Sequence, residues 1–129
     1  MMDERIVKIL TGRRNAWLST LMPDGSPQLT PVWIDVEGED LLLSTNEGTV
    51  KIANMRRDPR VAVAIESEED RYLTVTIRGR VTEICPDEDL DRVNRLSWHH
   101  DDKEWDTSSE EGERLLVRIK PEKATLLED

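Results

Sequence analysis

Turn residues divide the first third of the chain into short extended segments, and this division constrains the fold more than any other feature. Pro23-Asp24-Gly25 separates strands predicted over residues 16–21 and 28–36. Glu37-Gly38-Glu39 then leads into a third predicted strand over residues 41–45. Proline fixes φ and glycine accepts positive φ, so such sequences favour tight reversals. Consecutive strands joined by tight reversals predict an antiparallel meander.

The hydrophobic spacing changes once near the middle of the chain, where apolar residues predict a helix from Thr49 to the residue before Pro59. The other predicted elements are a helix over residues 3–10, strands over 61–65, 72–84 and 115–119, and a short strand over 124–127. Six or seven sequential strands with few helices predict an α+β, mainly β, antiparallel barrel. With 129 residues, we expect a single domain over residues 1–129.

A further helix is predicted to open at Pro86, with Leu90, Val93 and Leu96 on one face. Its first turn would then hold the acidic residues 87–89, which the helix dipole favours. Residues 101–112, which include Glu110 and Glu111, are acidic and Ser-rich, so we expect an exposed loop that is mobile or acts as a lid.

Charge and apolar content exclude several classes of protein. The 18 Lys and Arg against 28 Asp and Glu give a net charge of −10, which would repel a nucleic-acid backbone and an anionic membrane surface. Apolar runs are only a few residues long, and the first residues lack the design of a signal peptide. Cys85 is the single cysteine, so there is no internal disulfide. A cytoplasmic protein is therefore expected.

The stretch from Ser44 to Lys51 runs from a strand, through small residues, into the first turn of a helix. Unpaired backbone N–H groups there carry partial positive charge, and the hydroxyls of Thr45 and Thr49 and the Lys51 ammonium group can converge on an anion such as phosphate. The alternative is that Thr49 or Asn46 only caps the helix.

The strand before it, Gln28 to Trp33, contains Pro31, which cannot donate to a ladder. That break frees neighbouring backbone groups to meet the polar edge of a ligand ring. An ordinary edge strand with a structural proline is the alternative.

Together these segments resemble the split-barrel family of pyridoxamine 5'-phosphate oxidase-like proteins, and in particular its short branch of F420-dependent enzymes. The matching segments are Asp24 to Trp33, Leu43 to Thr45, Lys51 to Val61, Arg78 to Val81 and Leu116 to Pro121. The resemblance implies a split barrel, a homodimer with each cofactor between the subunits, and either coenzyme F420 or FMN as the cofactor.

The resemblance also implies which residues bind the cofactor. Backbone groups of Gln28, Leu29, Thr30, Pro31 and Val32 would meet the ring, Ser44, Thr45 and Asn46 would lie beside the ribityl chain and phosphate, and Thr49 and Lys51 would grip the phosphate. Most relatives carry arginine where this chain has Thr49 or Val50. Either phosphate affinity is reduced, or a basic residue such as Arg56 or an arginine of the partner subunit compensates. Arg78 or residues near Trp98 would reach the site of the other subunit.

Other reactive side chains give weaker signals. His99 and His100 predict a helix end at the surface rather than a metal site, because adjacent histidines diverge on a helix and no third histidine exists. Trp98 or Trp105 is a candidate cover for the cofactor cleft or the dimer seam. The three arginines of residues 56–60 suit surface ion pairs. Ser97 and Ser108 have no histidine and acid placed to activate them as nucleophiles, and Cys85 is expected to be a packed thiol. No catalytic residue is therefore expected.

The resemblance to the short F420-dependent branch implies a reductase that transfers hydride from F420 to a small organic substrate. An FMN-dependent oxidase or reductase is the first alternative. Pyridoxamine 5'-phosphate oxidase itself is disfavoured, because residues 123–129 hold only one basic residue for a pyridoxal phosphate. A protein that binds a flavin or deazaflavin without turnover is the other alternative.

Overall fold

The computed structural model describes residues 2–108 and 112–128, which form an antiparallel split barrel with short helices. The strands are β1 Ala16–Leu21, β2 Pro27–Val32, β3 Ile34–Glu37, β4 Asp40–Asn46, β5 Arg60–Glu66, β6 Leu73–Pro86 and β7 Arg114–Glu128. The helices are α1 Glu4–Leu10, α2 Val50–Arg57 and α3 Asp91–Asp101, with a 3-10 turn at Glu88–Leu90. The predicted α+β, mainly β, antiparallel fold is confirmed. No helix in the described ranges is long and apolar enough to cross a membrane.

The order of strands in the sheet is β2-β1-β5-β6-β7-β4-β3, and every neighbouring pair is antiparallel. Strands β2 and β3 therefore lie at opposite edges of the sheet, although only Trp33 separates them in sequence. A sheet whose two edges are tied by one residue must curl on itself.

The predicted single strand over residues 28–36 is therefore wrong, because the chain leaves one sheet edge and joins the other at Trp33. Pro31 lies within edge strand β2, opposite Trp17 of β1, where its missing N–H removes no bond from the interior of the sheet.

The barrel interior is filled mainly by leucine, isoleucine and valine from every strand. Among the fully buried residues, with 0% relative exposure, are Leu18, Leu43, Val75 and Val117. Helix α1 covers part of this core with Ile6, Ile9 and Leu10, and the Asp3 carboxylate accepts the Ile6 N–H at 3.0 Å to cap it.

The last strand differs from its prediction, because the segments 115–119 and 124–127 belong to one strand, β7. Pro121, which lies between the two segments, is opposite Gly79 where the β6–β7 register shifts. A proline is tolerated at such an irregularity. A Cβ on Gly79 would lie 2.5 Å from the carbonyl oxygen of Lys120, so this crossing requires glycine.

The helix predicted to open at Pro86 begins later, since Pro86 ends β6 and α3 starts at Asp91. Asp89 and Leu90 have positive φ, which no helix can continue through. The buried Asp87 carboxylate instead accepts N–H groups of the first turn, from Arg92 at 3.1 Å and Val93 at 2.8 Å. Val93 and Leu96 are buried as predicted, whereas Leu90 is half-buried. In the acidic loop, Glu110 and Glu111 lie outside the described residues.

Replacing Asp87 by alanine tests this cap. Asp87→Ala leaves two buried backbone donors without their acceptor, so we expect the free energy of unfolding to fall by about 2 kcal/mol. The matched control is Glu88→Ala, one residue away and exposed, which should change it by less than about 0.5 kcal/mol. Urea denaturation followed by circular dichroism measures both, and equal effects would refute the capping role.

Candidate functional site

The split in the barrel lies between strand β2 and the end of strand β4. Strand β3 pairs with β4 only over residues 40–43, so Ser44 and Thr45 have no strand partner on that side in the described chain. Pro31 and Val32 of β2 line the same cavity as Ser44 and Thr45, and its volume is about 310 Å³. Backbone groups on both edges are therefore available to a ligand.

Two cations, Lys51 of α2 and Arg114 of β7, line this cavity. Lys51 forms no ion pair or hydrogen bond with any residue that the structure describes. Burial lowers the pKa of Lys51, and repulsion from Arg114 lowers it further. A partly buried lysine beside a second positive charge is stabilised by an anion that lies next to it. The arrangement suits phosphate or carboxylate.

Strand pairing brings Arg114 to this place, because Arg114 lies opposite Asn46 in the β4–β7 register. The Arg114 guanidinium lies over the ring of Trp105, 4.6 Å from its centroid, and Nη1 is 3.4 Å from Ser44 Oγ. Planar stacking on Trp105 restricts the orientation of the guanidinium at the cavity. Sequence reasoning missed Arg114, since only the register joins it to the loop before α2.

Thr49 is occupied in holding the start of α2. Its hydroxyl donates to the Asn46 carbonyl at 3.1 Å and accepts the Ile52 N–H at 3.4 Å. The capping alternative therefore describes Thr49, whose side chain is not among those lining the cavity. Asn46 and Lys51, three and two residues away from it, do line the cavity.

Aromatic rings form one wall of the cavity. Trp33 and Trp105 both line it, with ring centroids 6.0 Å apart and planes nearly perpendicular. The His100 ring stacks parallel to that of Trp33 with centroids 4.9 Å apart. Of the two tryptophans proposed as covers, Trp105 lies at the cavity and Trp98 is 54% exposed outside it.

The prediction of a surface position for both histidines is wrong for His100, which is buried. Helix α3 turns this side chain toward Trp33, so the helix end packs on the barrel instead of lying free. His99 is exposed, and its Nε2 lies 2.8 Å from the Thr11 carbonyl oxygen. In the described residues, no group of three or more potential ligand side chains is placed to hold a metal ion.

The structure places the remaining residues of strand β2 beside the cavity rather than in its lining. The Gln28 side-chain oxygen accepts from the Thr20 hydroxyl at 3.1 Å, which belongs to a network continued by buried Asn54. Leu29 is 61% exposed on the outer face. The Thr30 hydroxyl is buried and has no hydrogen-bond partner among the described residues, so it can still receive a donor.

Arg56 does not reach the cavity. Both of its terminal nitrogens bind the Glu47 carboxylate, with Nη2 2.8 Å from Oε2. The other two arginines after α2 have structural partners as well: Arg57 donates to the Leu21 carbonyl oxygen at 2.6 Å, and Arg60 pairs with Asp58 at 2.7 Å. The ion pair holds the pKa of Asp58 at about 2.

Arg78 lines a second groove, of about 560 Å³, on the outer face of the sheet. It lies directly opposite Lys123 on the neighbouring strand, and Arg60 and Arg80 line the same groove. Like charges opposite each other on adjacent strands destabilise a sheet. Glu122, 3.9 Å from Arg80, offsets part of this charge.

Cys85 has the properties of a packed thiol. Burial raises its pKa, and the nearby Glu83 carboxylate raises it further. A thiol kept protonated is a poor nucleophile.

The chain is similar to known proteins over nearly its whole length. The sequence model for pyridoxamine 5'-phosphate oxidase matches residues 2–128. An F420 reductase is similar in structure, with a TM-score of 0.87 and 23% identity over 96% of this chain and 98% of that chain. A conserved hypothetical protein from Mycobacterium tuberculosis has a TM-score of 0.75 and 26% identity, over 99% and 86% of the two chains. General Stress Protein 26 from Bacillus anthracis has a TM-score of 0.71 and 23% identity, over 96% and 92%.

Removing the Lys51 charge should stabilise the ligand-free protein. Lys51→Met keeps the apolar length of the side chain but abolishes the buried charge beside Arg114, so the midpoint of urea denaturation should rise at pH 7. The control, Lys120→Met, alters an exposed lysine of β7 and should leave the midpoint nearly unchanged.

The pH dependence of Lys51→Met gives a second readout. The folded-state pKa of Lys51 lies below the usual value of 10.5, so the unfolded chain holds this proton more tightly. Wild-type stability should therefore recover as pH rises through the folded pKa, and the advantage of the variant should shrink. An advantage that stays constant to pH 10 would contradict the depressed pKa.

Proposed function

The chain belongs to the pyridoxamine 5'-phosphate oxidase family, and on that premise we propose that it is an F420-dependent reductase that binds the cofactor's phosphate between Lys51 and Arg114. The observation that carries this proposal is the pair of adjacent cations in the split, of which Lys51 has no counter-ion in the described chain. A net charge of −10 makes such a local excess of positive charge unusual for this protein.

The residues of the split fit a flavin-like group. Lys51 and Arg114 provide charge for a phosphate, and Ser44 and Thr45 provide an open strand edge beside it. The outer edge of β2 and the unpartnered Thr30 hydroxyl offer hydrogen-bonding groups along the direction in which a ring would extend. Trp33 and Trp105 provide an apolar aromatic wall.

The cofactor, when bound, supplies the hydride chemistry. The residues of this chain have the tasks of binding and orienting it and of excluding water. Lys51 and Arg114 would neutralise the phosphate, while Trp33, Trp105 and Leu96 would keep water from the wall of the cavity. The described cavity lining contains no carboxylate or histidine, which fits a role of binding and orienting the cofactor.

F420 is preferred to FMN because the similar F420 reductase covers nearly the whole chain at a TM-score of 0.87, although at 23% identity that likeness shows only a shared fold. An FMN-dependent oxidoreductase is the second candidate. It is favoured by Arg114, which supplies the second phosphate cation that the segment before α2 lacks. A protein that binds the cofactor without turnover would use the same residues.

The proposal includes a homodimer that joins the outer faces of the sheets. Leu29, Ser19, Ala62, Arg78 and Lys123 lie opposite one another across five neighbouring strands and so form one row on that face. The row is apolar and exposed at Leu29 and basic at Arg78 and Lys123. It therefore presents an apolar contact at Leu29 that a second copy of the same face can cover.

Alanine variants test the phosphate site. Lys51→Ala and Arg114→Ala should each weaken binding of F420 and FMN by at least about tenfold, because each removes a charge-assisted hydrogen bond to the phosphate. Arg56→Ala serves as the matched control and should change affinity less than about twofold, since its guanidinium binds Glu47 outside the cavity. Fluorescence titration with each cofactor measures all three.

The same titration decides between the candidate functions. Tighter binding of F420, followed by oxidation of its reduced form in the presence of an organic acceptor, is the expected result. Tighter binding of FMN would favour the second candidate. Unchanged affinity in Lys51→Ala and Arg114→Ala, or a large loss in Arg56→Ala, would show that the phosphate lies elsewhere.

The homodimer is tested with a charge on the apolar part of the face. Trp17 shares that face and is 47% exposed, so Trp17→Lys should convert a species of twice the 14.9 kDa chain mass into monomer. Trp98→Lys alters a tryptophan of similar exposure on α3 and should leave the dimer intact. Light scattering after size-exclusion chromatography measures the mass; a monomeric wild type would contradict the proposal.

A further inference from the structure

His100 is a buried titratable group to which the proposed function gives no role. Its exposure is 9%, and its ring lies parallel to that of Trp33 with centroids 4.9 Å apart. Nδ1 is 3.2 Å from the carbonyl oxygen of Arg13, while Nε2 is buried with no hydrogen-bond partner among the described residues. An imidazole in such a place is held by one hydrogen bond and one aromatic contact.

These contacts determine the state of the ring. A carbonyl oxygen only accepts, so Nδ1 carries the proton and Nε2 of the neutral ring carries a lone pair. Protonating Nε2 would create a buried donor and a charge with no acceptor in the described chain. The stacked, hydrogen-bonded arrangement therefore belongs to the neutral ring.

The charged groups around His100 come from two segments. Burial has the largest effect on the His100 pKa and lowers it below 6.5; the hydrogen bond to the Arg13 carbonyl opposes it. From α3, the perpendicular His99 ring lowers the pKa and Asp101 raises it, and the Arg13 guanidinium lowers it again. The group that faces it from the β2–β3 junction is the uncharged Trp33 ring.

Trp33 connects His100 to the cavity, because its ring contacts both. It is the single residue that joins β2 to β3, and its ring lines the cavity between β2 and β4. The ring contacts Trp105 edge-on and His100 face-on, so His100 supports it from a side outside the cavity lining. A change in the His100 ring is thereby transmitted to the wall.

We propose that His100 is a positioning residue for the cofactor cavity: its neutral ring holds Trp33 in place, and protonation of that ring releases Trp33 and weakens ligand binding. The inference rests on the proposed function for the identity of the ligand. The coupling of His100 to Trp33 is a property of this chain without any ligand.

The direction of the pH effect follows from the site. The unfolded chain protonates His100 near pH 6.5, and the folded chain protonates it at lower pH. Stability and the ordered wall are thus fully present above pH 6.5 and are lost progressively as pH falls from there through the folded pKa. Protonation of His99, which is exposed, should have no comparable effect on Trp33.

The first test uses the ligand-free protein. In the double variant Trp17→Phe/Trp98→Phe, fluorescence reports Trp33 and Trp105 and should change with a midpoint below pH 6.5. NMR of the histidine ring protons should give the same midpoint for His100. Adding His99→Gln should leave the fluorescence transition in place, and adding His100→Phe, which keeps the stacked ring but cannot titrate, should abolish it. His100→Gln retains a donor for Arg13 and should also abolish it.

The second test uses FMN as the probe at pH 7.5 and at a pH below the His100 midpoint that NMR gives. The FMN phosphate also gains a proton in this range, so the variants are compared with one another. The fall in affinity should be at least about threefold larger in wild type and in His99→Gln than in His100→Phe or His100→Gln. A fluorescence transition that persists without His100, or an equal fall in FMN affinity without it, overturns the proposal. If FMN binds at neither pH, the assigned ligand is wrong, and the ligand-free fluorescence alone decides the role of His100.

Discussion

The one-residue connection at Trp33 is the constraint on which the rest of the structure depends. Strands β2 and β3 occupy opposite edges of a seven-stranded sheet, and a single residue joins them. The sheet therefore curls until its edges approach, but β3 is too short to pair with all of β4. The remaining gap exposes backbone groups of both strands, and it is the place where a ligand can complete the barrel.

The charge of the side chains in this gap is opposite in sign to the net charge of the chain. The protein carries a net charge of −10, yet the cavity collects Lys51 and Arg114 and includes no carboxylate among its described lining residues. Outside the cavity, Arg56 pairs with Glu47, and Arg118 pairs with Glu37 and Asp40. Lys51 has no such ion pair among the described residues. An arrangement that costs stability without a ligand and gains it with an anion is typical of a binding site.

Much of the fold could be predicted from the sequence, because hydrophobic periodicity and turn residues act locally. Strand β1, the helix capped by Thr49 and the buried face of α3 follow from such patterns. The break at Trp33 and the continuity of β7 through Pro121 could not be predicted, since both depend on which strands pair and in which register. Lys51 could be proposed as a phosphate ligand from its place near a helix start. Arg114 reaches the cavity, and His100 reaches Trp33, only through tertiary packing.

The measurement that tests the central claim most directly is a crystal structure of the protein with F420, or with FMN if that binds more tightly. The account predicts that the phosphate lies within about 4 Å of both Lys51 Nζ and the Arg114 guanidinium, with the ring along the open edge of β2. A phosphate bound in the groove of Arg60, Arg78 and Lys123 of the same subunit, with the split left to water, would contradict it.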